Sequence, residues 1–296
     1  SNVVYCSFFI FGFWGDNMTD EKNTVNEETA ESKSPVDYVD MAVHSGVAPL
    51  ETRYCGIYDC YSKSPVAYRS FTYINSVLEG VIPPEKYCYA ADSTDTGIKL
   101  AKYNIINAIN MIKQLEDAGR HIRFVTARCP ALLAERDGLY EFVQSLMKQC
   151  DFKEPEKLCL EFPQSLLYGE KEKVRIGILN MKLLKVMTMM SGCGADDCPI
   201  TPLMDIPVDS VLLSPEITAL TDSRGRSSHI SSFISFIKDM DIKVYADGVN
   251  NDDQITSLLR LDCSGYAPSS GYTGAAVHGR LRMTGEEAIS QKEETD

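Results

Sequence analysis

The chain has 296 residues, 44% of them apolar, with a formal net charge of −13 and a pI near 4.8. That apolar content can fill one large core, and about 250 residues is the usual size of a single α/β barrel. So acidic a surface repels phosphate backbones, which excludes sequence-independent binding to DNA or RNA.

The first fourteen residues, SNVVYCSFFIFGFW, are strongly apolar but fall short of the roughly 20 needed to span a bilayer. No basic residue precedes them and no small-residue cleavage site follows. The polar run from Met18, MTDEKNTVNEETAESKS, has the composition of a disordered leader, and TGEEAISQKEETD at the other end reads the same way. The expected organisation is an apolar stub and acidic leader over 1–44, a folded unit over 45–278, and an acidic tail over 279–296. The protein is expected in the cytoplasm, with no membrane contact unless the apolar start is a truncated helix.

From about residue 50, short apolar runs alternate with amphipathic helices. Ile98, Ala101, Ile105, Ile109, Ile112 and Leu115 form one stripe, and Gly119 closes that helix. HIRFVT reads as a strand, then GLYEFVQSLMKQC as a helix with Leu139, Phe142, Val143 and Leu146 inward. KLCLEF is the next strand and EKVRIGILNMKLL the next helix. VMTMM and VDSVLL read as buried strands with no regular helix between them. SSHISSFISFIKDM is helical through Ile230, Phe233, Ile234 and Ile237, IKVYAD is a strand, and DDQITSLLRL a helix. Strands alternating with helices imply a parallel sheet, and about eight such units fit a closed (β/α)8 TIM-type barrel better than an open sheet.

Ten cysteines are scattered without a Cys-x-x-Cys pair, and several sit in apolar runs, as buried thiols of a reducing compartment do. The four histidines form no His-x-x-x-His pair. In barrels of this kind the carboxyl ends of the strands carry the chemistry. Those positions fall here on Arg69, Thr126, Ser191, Gly192, Leu212 and Ser214, where a metal hydrolase needs a ring of carboxylates. Glu161 and Asp247 are the acids that remain.

Five segments, RYCGIYD, GVIPPEKYCYAADSTDTG, KLCLEFPQS, IPVDSVLLS and YADGVNNDDQITSLLRLDCSGY, follow one another in an order and spacing that resembles the EAL domain family of cyclic-di-GMP phosphodiesterases. The resemblance implies a barrel, two divalent metal ions sharing a water, and cleavage of cyclic di-GMP. Position by position it also implies degeneracy. The name-giving glutamate falls on Arg69, and the arginine four residues later on Tyr73. The ligand asparagine falls on Thr126. The first glutamate of Glu-x-Thr-Glu is kept as Glu161, while the second becomes Gln164. The paired aspartates fall on Ser191 and Gly192, the catalytic lysine on Leu212, the aspartate after it on Ser214. The late glutamate becomes Asp247, and the final glutamine falls near Ser270. Asp196 and Asp197 do not replace the lost pair, because the family interval counted back from Pro207 ends at Ser191.

The expectation is a catalytically inactive regulatory module without cofactor or metal, in bacterial cyclic-di-GMP signalling, whose partner is another protein. A homodimer, a non-hydrolysing cyclic-di-GMP receptor and a residual phosphodiesterase stand as alternatives. Binding of cyclic di-GMP is expected to be weak or absent. Arg69 is expected to enter the barrel mouth beside Glu161 or Asp247, because an unpaired buried guanidinium is costly.

Overall fold

Short, nearly continuous apolar runs make strands buried on both faces, one face for each of two cores, and that pattern recurs along this chain. The computed structural model describes residues 37, 39–42, 49–77, 79–195, 198–222, 227–270, 272 and 284–290. Its strands are β1 Leu50–Tyr58, β2 Pro65–Ser76, β3 Gly80–Ile82, β4 Phe124–Arg128, β5 Leu158–Pro163, β6 Met187–Cys193, β7 Ser210–Leu213, β8 Lys243–Val249 and β9 Gly265–Pro268. The longer helices are α1 Asp95–Asp117, α2 Leu139–Gln149, α3 Lys171–Leu183, α4 Ser227–Asp239 and α5 Asp252–Arg260. In α1, Thr94 accepts the N–H of Gly97 at the start, and the expected stripe from Ile98 to Leu115 is buried throughout.

The sheet runs β1-β9-β8-β7-β6-β5-β4-β2, and pairing of β1 with β2 closes it into an eight-stranded barrel, with β3 appended to β2. Neighbours from β2 through β4 to β9 are parallel, but β1 is antiparallel to both β2 and β9. This corrects the expectation of a wholly parallel sheet. The connection 59–64 is a tight turn in which Asp59 accepts the N–H groups of Tyr61 and Ser62. Six residues cannot carry a crossover, so the two strands form a hairpin. The linker between β6 and β7 also differs from expectation, since Ile200–Asp205 is a short helix.

Eight side chains, one from each barrel strand, fill the interior: Ile57, Ala67, Phe124, Cys159, Met189, Leu212, Tyr245 and Ala267. A second, larger core lies between the outer face of the sheet and the helices, through residues such as Ile105, Val143, Leu160, Ile178, Val211 and Leu258.

Part of each expected end segment falls among the described residues. Residues 39–42 are helical, with Val39 and Ala42 buried against Ile74, Ile82, Tyr87 and Leu100. Gly285–Ser290 is a helix opened by a capping box, in which Thr284 N–H donates to Glu287 and Glu287 N–H to the Thr284 hydroxyl. The apolar stub, most of the leader and the rest of the tail lie outside the described residues. Among those described, no helix is long and apolar enough to cross a membrane.

Candidate functional site at the barrel mouth

Strand alternation builds the site directly on the interior layer. Two residues beyond Ala67, Phe124, Cys159, Met189 and Tyr245 come Arg69, Thr126, Glu161, Ser191 and Asp247, which therefore face inward one layer higher. Arg69 lies midway along β2 rather than at its end, because β2 runs on to Ser76 as a hairpin with β3.

Arg69 bridges both acids. Its Nε lies 2.9 and 3.0 Å from the two Glu161 oxygens, its Nη2 2.6 Å from Oε1, and its Nη1 2.5 Å from Asp247 Oδ2. The guanidinium also stands over the Phe71 ring, 5.0 Å from its centroid. Side-chain exposure is 13% for Arg69, 2% for Glu161 and 26% for Asp247. Burial pushes the Glu161 carboxyl up, but the charge and hydrogen bonds of Arg69, helped by Arg128 and Thr126, hold it below the usual carboxylate value. The Thr126 hydroxyl also accepts the Ser70 N–H at 3.2 Å, which ties β2 to β4 beneath the ion pair.

Arg69, Tyr73 and Asp247 line a cavity of about 760 Å³ together with Cys55, Phe71, Glu85, Asn250 and Ser270. Arg53 covers the Tyr73 ring at 4.4 Å. The remaining positions of the expected pocket do other things. Leu212 is fully buried in the apolar layer below. Gln164 ties the loop after β6, donating to the Ala195 carbonyl and accepting from Gly194 N–H. Ser191 donates to the Phe162 carbonyl, and Ser214 caps Pro215–Thr218 by accepting Ile217 N–H. Gly192 has a φ of +77°, a conformation costly for any residue with a Cβ.

One ion pair escaped the strand pattern. Arg128, Cα partner of Glu161 across β4 and β5, donates to Asp92 at 2.6 Å. Asp92 comes from the irregular segment before α1, where no periodicity marks it. Burial raises its carboxyl above the usual value despite the opposing pull of Arg128.

Two divalent cations do not fit this arrangement. They need several oxygen donors free to coordinate, whereas a guanidinium stands within hydrogen-bond distance of both acids. Thr126 and Ser191 are already bonded to the backbone around them, and Gly192 offers no side chain. Among the described residues, no three His, Cys, Asp or Glu side chains converge closely enough to hold a metal ion. Asp196 and Asp197 lie outside the described residues.

The EAL domain model matches residues 42–267. The cyclic di-GMP phosphodiesterase RocR of Pseudomonas aeruginosa is 21% identical over 186 residues, 62% of this chain and 47% of that protein. The matched region is thus about half the length of that curated relative. Among solved structures, the PaMucR phosphodiesterase in complex with c-di-GMP has a TM-score of 0.72 at 15% identity, covering 86% of this chain and 99% of that one. The FimX EAL domain of Pseudomonas aeruginosa bound to c-di-GMP has a TM-score of 0.69 at 12% identity, covering 83% and 99%. At such identities the structural likeness establishes the fold alone.

Proposed function

We propose that this chain, which belongs to the EAL domain family, is a regulatory barrel that does not hydrolyse cyclic di-GMP and acts by binding another protein. The observation that carries this reading is the Arg69 guanidinium held between Glu161 and Asp247. A cation at that point repels metal ions by several kcal/mol even at moderate effective dielectric, on the order of 332/(εr). Without a metal, nothing at the mouth lowers the pKa of a water enough to make it a nucleophile at neutral pH. Leu212, where the family carries a lysine, offers no charge to a developing oxyanion. Residues that act as a unit fail together, so these substitutions abolish turnover rather than slow it. A cytoplasmic place in bacterial cyclic-di-GMP signalling belongs to the same reading, and fold alone does not assign the chemistry.

Purified protein with Mg²⁺ or Mn²⁺ should therefore release no linear dinucleotide from cyclic di-GMP above a no-enzyme control. Turnover abolished by Glu161→Ala would overturn the reading.

The cavity is of a size that holds small ligands, which keeps a non-hydrolysing receptor as the second reading. Its lining disfavours a dianion. Glu85 and Asp247 present carboxylates, and Arg69 already spends its donors on two acids. A calorimetric titration with cyclic di-GMP, with and without Mn²⁺, should show no saturable binding. Tight binding would move the assignment to the receptor.

A further inference from the structure

Helix α3 is fixed on one side and open on the other. Val174, Gly177, Ile178 and Met181 are buried against the barrel, and a Cβ added at Gly177 would come 2.1 Å from the Ala134 carbonyl oxygen. That contact holds the inner face tightly in place. The opposite face carries Ile176, Leu179 and Leu183, spaced three and four residues apart and therefore in one stripe. Their exposures are 52%, 36% and 75%. Ile200 and Met204 are also exposed on the neighbouring short helix, which packs against α3 and is linked to it by Lys171–Asp205 at 2.7 Å. A surface helix needs one apolar face for its own core, and a second calls for something that covers it.

Charge selects the occupant. Lys171, Lys173, Arg175 and Lys182 flank the stripe on α3 and Lys185 follows the end of the helix, with Glu172 as the acid among residues 171–185, in a chain of net charge −13. Glu170, Glu172, Asp205 and Asp209 pair with four of these cations at 2.7–3.6 Å. All are surface pairs, worth about 0–1 kcal/mol, which an incoming carboxylate displaces easily. Among the described residues, Lys185 has no ion pair. A second copy of the chain would bring the same cations against this face, whereas an acidic helix complements it.

We propose that the solvent face of α3 docks an acidic amphipathic helix of a partner protein, its apolar residues on Ile176, Leu179 and Leu183 and its carboxylates on the flanking lysines. This rests on the protein-binding reading above and names the surface and the chemistry of the partner.

The test uses the full chain and a fluorescein-labelled synthetic peptide with leucines at i, i+3 and i+7 flanked by glutamates. Fluorescence anisotropy should show saturable binding that weakens with salt and at least tenfold in Leu183→Asp. The thermal melt of that variant should match the wild type, since Leu183 is mostly exposed. The same peptide with lysines in place of glutamates should not bind. Absence of saturable binding, or equal binding by Leu179→Asp/Leu183→Asp, overturns the proposal. So does a Leu183-dependent affinity for phosphatidylglycerol vesicles without peptide binding, or Leu183-dependent self-association in sedimentation. The hydrolysis assay separates the two levels: turnover removes the regulatory reading, while peptide failure without turnover removes only this docking surface.

Discussion

Arg69→Ala should lower stability at neutral pH by about 3–5 kcal/mol, the usual cost of removing one partner of a buried ion pair. The loss comes from what remains, because Glu161 keeps a desolvated carboxylate with Thr126 and the more distant Arg128 as its only support. Adding Glu161→Gln to that variant should restore a good part of the loss, since the buried charge goes with it. The pH dependence should also change sign. In the wild type, the Glu161 carboxyl lies below its ordinary 4.5, so its stabilisation is present above that pH and fades as pH falls through the depressed value. Without Arg69, burial dominates and the carboxyl rises above 4.5. The variant then gains stability as pH falls from neutral toward that range. Urea unfolding of the two single variants and the double across this range is the check. An Arg69→Ala loss under 1 kcal/mol, or one that Glu161→Gln leaves undiminished, would mean that the triad does not hold the mouth together.

Leu212→Ala should cost about 2–5 kcal/mol and lower the unfolding midpoint by roughly 4–20 °C. Leu212 is fully buried in an interior layer with one side chain from each barrel strand. Truncation leaves a void that seven neighbours on hydrogen-bonded strands cannot close without shifting the sheet. Leu212→Met conserves volume and should cost less than about 1.5 kcal/mol. Equal losses for the two variants would place Leu212 outside that layer.

Much of this was legible in the chain. Helix α1 announced itself by its stripe and by Gly119, and β5 by the short apolar run KLCLEF. The meeting of Arg69 with an acid followed from the cost of burying an unpaired cation. What was not legible depends on partners distant in sequence. Arg128 with Asp92 is such a case, since Asp92 sits in a segment with no period of its own. The packed turn of residues 39–42 is another, because a few apolar positions among many polar ones give no signal until a surface exists to receive them. Gln164 was expected in the pocket but brackets the loop after β6, a role set by the path of Gly194 and Ala195.

The sequence by itself determined which residues share the inner face of each strand. Successive side chains must point to opposite sides, so Ala67 carries Arg69 inward with it, Cys159 carries Glu161, and Tyr245 carries Asp247. Tertiary structure decided the height at which each strand presents those residues, because the stagger between strands is set by hydrogen bonds to neighbours far away in the chain. That stagger lifts Arg69, Glu161 and Asp247 into one layer and leaves Leu212 a layer below, and closure through the antiparallel β1 fixes it.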